Sequence, residues 1–272
     1  MQHLSFDMTT EGSQPGARLE TYIQNYSEVF QVTERPLVIV LPGGGYTHLS
    51  PREGEPMALQ YCAMGYHAAV LYYSLAPGAV YPTQLLELAK AVALVRSRAK
   101  EWHIDPERIL IQGCSAGAHL AALYGCIWNR DFIAEKIGLG KREKELLRPN
   151  GQILCYPVIT SGAFAHRGSF ESLCGGDEAL EKELSVENLV NENTPKTFIW
   201  HTQTDNAVPV ENSLLMAAAL QKAKVSFELH IYPVGKHGIG LANWMTQTPS
   251  GDENVEQCQS WIGLVRTWVE HF

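Results

Sequence analysis

Ile109-Leu110-Ile111-Gln112-Gly113-Cys114-Ser115-Ala116-Gly117, continuing as Ala118-His119-Leu120-Ala121-Ala122-Leu123-Tyr124-Gly125-Cys126, is the stretch that decides the fold. Its first half is a short apolar run that reads as a buried strand. Its second half is rich in Ala and Leu and reads as a helix. Between them lies Gly-x-Ser-x-Gly. A strand that ends in this pentapeptide and runs straight into a helix is a nucleophile elbow, which holds the serine at a strained backbone angle with its hydroxyl projecting from the end of the sheet. The turn is too tight for side chains near the serine, so both flanking positions must be glycine. Without the flanking strand and helix, the same five residues would be an ordinary glycine-bounded turn.

Working outward, apolar segments of two kinds alternate. Strands are expected at Leu37–Leu41, Ala68–Tyr73, 109–112, Ile153–Ile159, Thr197–His201 and Phe227–Tyr232. Helices are expected at Pro56–Met64, Gln84–Lys100, 116–126, Asn212–Ala223 and from about Val255 to Phe272. In the second helix Leu85, Leu88, Val92 and Val95 fall on one face. Such alternation implies an α/β fold, a mostly parallel central sheet covered by helices on both faces. Arg18–Val32 is a source of leading antiparallel strands. Two stretches break the alternation, the charged 129–150 and the polar 161–194. Each is either a small cap over the serine or a solvated surface insertion.

A chain of 272 residues is of a size for one large α/β domain, 1–272, with 45% hydrophobic and 18% charged residues as in ordinary globular proteins. The net charge of −8 argues against nucleic acid or an anionic membrane as partner. The first twenty residues lack the basic start and apolar core of a signal peptide, and no 18-residue window is uniformly apolar. The six cysteines are scattered, with no C-x-x-C pair and no zinc-like spacing, which suits reduced thiols in a cytoplasmic protein. No motif speaks to oligomeric state.

A serine hydroxyl needs a base to take its proton, and the base needs an orienting carboxylate. Downstream of Ser115, Asp205 lies just past the strand Thr197–His201, and His237 lies in the glycine-flanked loop after Phe227–Tyr232. Three residue types thus occur in the order serine, acid, histidine at three strand ends, where open α/β sheets build their sites. Asp177, and further off Glu181, are rival acids. His201 and His230 fall inside strands, and His119 suits a structural hydrogen bond. For the oxyanion, Pro42-Gly43-Gly44-Gly45-Tyr46 follows the strand 37–41. Consecutive glycines let backbone N–H groups face a ligand, so Gly44 and Gly45 are donors of choice together with Ala116 after the serine. A Walker motif and G-x-G-x-x-G are both absent from this loop.

These segments, spanning Leu37 to Gly240, resemble the α/β-hydrolase esterases of the hormone-sensitive-lipase-like and acetyl-xylan-esterase-like group. The similarity rests on Gly113–Ala121, on Tyr73-Ser74-Leu75-Ala76-Pro77 with Tyr81-Pro82, on His201–Pro209, on His237-Gly238 and on Pro42–Tyr46. Pro42 stands where many members have histidine, Ser74 where they have arginine, and Gly78 where they have an acidic residue. The resemblance implies a serine carboxylesterase with the α/β-hydrolase fold, a triad of Ser115, Asp205 and His237, and short-chain acyl esters, such as those of acetylated sugars, as small-molecule substrates. It calls for no metal and no organic cofactor. Tyr46 is the candidate substrate-binding residue, and Tyr46, Tyr73, Trp200 and Trp244 are candidates for an aromatic surface under a sugar, the other reading being core aromatics. Two competing readings remain open at this point: a prolyl-oligopeptidase-like peptidase, and a catalytically silent hydrolase fold that serves as a binding protein.

Overall fold

The computed structural model describes residues 1–272, the side chain of Lys141 excepted. In chain order the elements are β1 (Gln2–Asp7), β2 (Arg18–Ile23), β3 (Arg35–Leu41), α1 (Glu55–Ala63), β4 (His67–Tyr72), α2 (Thr83–Ser97), β5 (Ile104–Cys114), α3 (Ala116–Ile127), α4 (Asp131–Lys136), β6 (Gly151–Cys155), α5 (Arg167–Cys174), α6 (Glu178–Glu183), β7 (Lys196–Thr202), α7 (Glu211–Ala223), β8 (Phe227–Tyr232) and α8 (Trp261–Glu270). The strands form one sheet in the order β1-β2-β4-β3-β5-β6-β7-β8. β2 pairs antiparallel with β1 and β4, and every later pairing is parallel.

The central strands are apolar at nearly every position because both faces of the sheet are covered. In β3, Leu37, Ile39 and Leu41 enter the core that includes α2 and α3, while Val38 and Val40 enter the opposite core beneath α1 and α8. Each of these side chains is fully buried, which stabilises the fold by about 1.5–3 kcal/mol per residue. Among the described residues no helix is long and apolar enough to cross a membrane.

Four departures from the sequence expectations have physical causes in the fold. β1 goes unread in the sequence because it is an exposed edge strand, with only Phe6 packed on the core. Within Arg18–Val32, only Arg18–Ile23 is strand. The expected strand Ile153–Ile159 stops at Cys155, where Tyr156 takes φ 38° and the chain turns across the elbow, Val158 N–H donating to Ser115 O at 3.2 Å. Val158 and Ile159 are apolar because they are buried in that turn. The last helix starts at Trp261, since 256–258 forms a separate 3₁₀ turn.

The two insertions part company. The segment 129–150 packs at the far end of the sheet from Ser115: Asn150 N–H bonds Ile109 O at the start of the apolar run of β5, and Arg96 holds the carbonyls of Pro106 and Arg148. It is not a cap. The segment 161–194 lies beside the serine, as described below.

The elbow leaves no room at its glycines. A Cβ on Gly113 would overlap the Gly117 carbonyl, and one on Gly117 would overlap the Leu41 and Pro42 carbonyls. These are backbone atoms and cannot swing aside. Gly117→Ala is therefore expected to destabilise the protein by more than about 3 kcal/mol, read as loss of the urea-unfolding midpoint or of folded protein altogether. A variant with wild-type stability would show that the helix does not cross β3 this closely.

Candidate active site

Ser115 sits between β5 and α3 with φ 54° and ψ −118°, a left-handed conformation rarely adopted outside glycine. Its N–H donates to Cys155 O at 3.0 Å and its carbonyl accepts from Val158 N–H, so the turn after β6 fixes the strained residue. The side chain is nearly enclosed, 7% exposed. Its Oγ lies 2.7 Å from His237 Nε2, and His237 Nδ1 lies 2.7 Å from Asp205 Oδ2. Three residues from the ends of three parallel strands thus form one hydrogen-bonded line. Asp177 is not part of it: its carboxylate caps α6, accepting from the Ala179 and Leu180 N–H groups. His230 bonds Glu228 instead.

Asp205 is buried, which by itself raises a carboxyl pKa. Hydrogen bonds from His201 and His237, helped by the Ala207 N–H, outweigh this and hold the carboxyl well below the usual carboxylate range. Its Oδ1 accepts from Ala207 N–H at 2.9 Å and Val208 N–H at 2.8 Å.

The glycine loop after β3 lies against the elbow. A Cβ on Gly43 would stand 2.9 Å from Ser115 Cβ and 2.7 Å from Cys114 O. Gly44 (φ 127°), Gly45 (φ 62°) and Tyr46 (φ 63°) turn the chain, and the N–H groups of Gly44 and Gly45 have no hydrogen-bond partner among the described residues. Ala116 opens α3, so its N–H is one of the donors a helix leaves unpaired. Glu53, not singled out by the sequence reading, anchors this loop. Its Oε2 accepts from Gly43 N–H at 2.9 Å and its Oε1 from the Tyr156 hydroxyl at 2.8 Å. Tyr156 in turn accepts from Gly240 N–H at 3.1 Å, which ties the glycine loop to the histidine loop.

Gly44, Gly45, Ser115 and His237 share a cavity of about 290 Å³ with Thr47, His48, Ser50, Arg52, Glu53 and His166. No apolar side chain lines it. His166, just before α5, brings the insertion 161–194 to the cavity, and burial followed by the nearness of His237 lowers its pKa.

Tyr46 does not supply open surface. It is fully buried, because its hydroxyl lies 2.8 Å from His119 Nδ1 and its ring packs on Tyr73. Tyr73 and Trp200 are also core residues, while Trp244 is 73% exposed. His119 Nε2 donates to Leu184 O at 3.0 Å, so this one imidazole joins the elbow helix, the glycine loop and the insertion.

A doubly wound sheet with a strained serine at the end of its central strand and a histidine–carboxylate pair at the next strand ends defines an α/β hydrolase. Residues 24–220 match the BD-FAE family, and the chain belongs to it. Endo-1,4-beta-xylanase B of Butyrivibrio fibrisolvens is 34% identical over 82% of this chain and 36% of its own length. The acetylxylan esterase of Xylanibacter ruminicola is 28% identical over 83% of this chain and 45% of its own. The chain thus spans less than half the length of these two curated relatives. Among solved structures, the acetyl ester-xyloside bifunctional hydrolase of Caldicellulosiruptor lactoaceticus is 40% identical with a TM-score of 0.80, covering 95% of this chain and 89% of that one. A carboxylesterase of Lactobacillus plantarum WCFS1 is 28% identical with a TM-score of 0.83, covering 100% and 98%.

Burial pushes the pKa of His119 down to about 4 from an ordinary value of 6.5. Between those values the unfolded chain binds a proton that the folded chain does not. The contribution is complete above about pH 6.5 and lost as pH falls toward 4, on the order of 3 kcal/mol. Buried His67, also lowered to about 4, acts in the same direction. Urea unfolding at a series of pH values is expected to show stability falling through this window, with a shallower fall in His119→Gln. An equal slope in the variant would mean that His119 is not held neutral.

Proposed function

We propose that the chain is a serine carboxylesterase acting on short-chain acyl esters, with acetylated sugars and xylo-oligosaccharides as the substrate class. The observation that carries this reading is the unbroken line from Ser115 Oγ through His237 to Asp205, with 2.7 Å at both contacts. In this reading Ser115 Oγ attacks the ester carbonyl while His237 Nε2 takes its proton. Asp205 accepts the His237 Nδ1–H, fixes the tautomer and stabilises the imidazolium. The N–H groups of Gly44, Gly45 and Ala116 hold the oxyanion, the last reinforced by the positive end of the α3 dipole. His237 then protonates the leaving alcohol, and a water activated by the same nitrogen releases the acid.

Two features support a short acyl group and a polar alcohol. The cavity is small, about 290 Å³, and its walls are hydroxyls, imidazoles, charged groups and glycine backbone rather than aliphatic side chains. The relatives named for acetylxylan and acetyl ester hydrolysis agree with this choice.

The test is hydrolysis of p-nitrophenyl acetate, butyrate and octanoate, together with acetate release from acetylated xylo-oligosaccharides. Activity is expected to fall as the acyl chain lengthens. Ser115→Ala is expected to lose roughly 10⁴–10⁶ in kcat and Asp205→Asn roughly 10⁴. A Ser115→Ala protein that keeps most of its activity would remove the assignment. Preference for octanoate would remove the short-acyl part alone.

A further inference from the structure

His201, the penultimate residue of β7, is fully buried and lies outside the three-residue line described above. Its Nε2 is 3.0 Å from Val208 O and 3.2 Å from Asp205 Oδ2. Both oxygens accept only, so this nitrogen carries a hydrogen; it donates to Val208 O and lies in close polar contact with Asp205 Oδ2. Its Nδ1 is 2.8 Å from Ser213 Oγ in α7, whose hydroxyl donates to it in the neutral ring. Val208 and Ser213 therefore set the ring's tautomer and orientation without help from the active site. Asp205 Oδ2 is shared between the two imidazoles, His237 Nδ1 at 2.7 Å and His201 Nε2 at 3.2 Å.

We propose that His201 is a positioning residue for the triad: its Nε2–H, fixed by Val208 O, also turns its positive end to Asp205 Oδ2 at 3.2 Å, holding the carboxylate in line with His237 and drawing charge from the oxygen His237 uses. The proposal rests on the esterase reading above. A carboxylate held only by its own loop amides is free to rock about them, whereas a donor from the strand beneath fixes the plane in which Oδ2 meets His237. The same donor spreads the charge on Oδ2, which keeps His237 from becoming too strong a base to release its proton to the leaving group. Other polar groups face this line: Ser115 and Tyr156 on His237, whose ring centroids are 5.2 Å apart in the Tyr156 pair, His166 across the cavity, and Arg52 and Glu53 on its wall.

Removing the donor concentrates charge on Oδ2, and His237 then stays protonated to higher pH. The acid limb of kcat/KM, which reports the free enzyme's base, moves up. A residue that merely fills space would lower stability and leave that limb in place.

The experiment measures kcat and KM on p-nitrophenyl acetate from about pH 5 to 9 for wild type, His201→Leu and His201→Gln, with Ser115→Ala as the blank. His201→Leu is expected to lose about tenfold in kcat, on the order of one polar contact to a charged group, with KM unchanged. Its acid limb is expected to move up by about half a pH unit. His201→Gln, whose amide N–H reaches the same region, restores both in part. Equal losses in the two variants with an unmoved acid limb would reduce His201 to packing and overturn the proposal, as would wild-type behaviour of His201→Leu. Should His201→Leu not fold, nitrogen NMR of wild type decides the point. The proposal requires a protonated Nε2 on His201 throughout the active range, and a bare Nε2 overturns it. A wild type with no Ser115-dependent activity would overturn the esterase reading and this proposal together.

Discussion

The structure depends on one crossing made without side chains, where the start of α3 passes the end of β3. Gly117 faces the Leu41 and Pro42 carbonyls, Gly113 faces Gly117, and Gly43 faces Cys114 and Ser115. A methyl group at any of the three would push the serine away from the glycine loop. Because none is present, the strand that delivers Ser115 and the strand that delivers Gly44 and Gly45 meet within contact distance. The strained serine is then kept in place by hydrogen bonds on both sides of its own peptide groups, to Cys155 and from Val158. Close packing thus supplies the strain, and the sheet beneath supplies the rigidity that maintains it.

Two buried carboxylates organise what surrounds that crossing. Asp205 meets His237 and His201 with one oxygen and two loop amides with the other. Glu53 meets Gly43 N–H and the Tyr156 hydroxyl, and Tyr156 passes the connection to Gly240. A buried charge is tolerated only when its acceptors are filled, and here the fillers are backbone groups or side chains locked by other elements. The histidine loop and the glycine loop are therefore tied to each other as well as to the sheet. Such an arrangement presents its donors before substrate arrives, so little reorganisation accompanies reaction.

Much of this was legible in the sequence where local pattern and tertiary role coincide. The run 109–126 is strand, glycine turn and helix by composition alone, and it folds so. Asp205 and His237 were marked by their place after strands, since parallel sheets gather those ends on one edge. The features that escaped are ones whose cause lies far away in the chain. β1 borders solvent at the sheet edge and sets only Phe6 against the core, and Ile153–Ile159 is apolar throughout although only its first half is strand. Tyr46 looks like a surface aromatic beside a glycine loop, yet its hydroxyl bonds His119, 73 residues on. Glu53 carries no motif at all. Its role arises from a carboxylate folding back on Gly43, ten residues earlier, and on Tyr156, over a hundred residues later. The charged 129–150 and the polar 161–194 both break the strand–helix alternation, and only the direction in which α3 runs separates them.

The single imidazole of His119 touches the glycine loop through Tyr46 and the insertion through Leu184. Asn212 adds to this seam, accepting from the Ile159 and Thr160 N–H groups and donating to Phe164 O. The insertion is thereby pinned at its base to α3 and α7, while His166 faces the cavity. The outer wall of the cavity and its reacting end are thus held by different sets of bonds, the first through His119 and Asn212 and the second through Glu53 and Asp205.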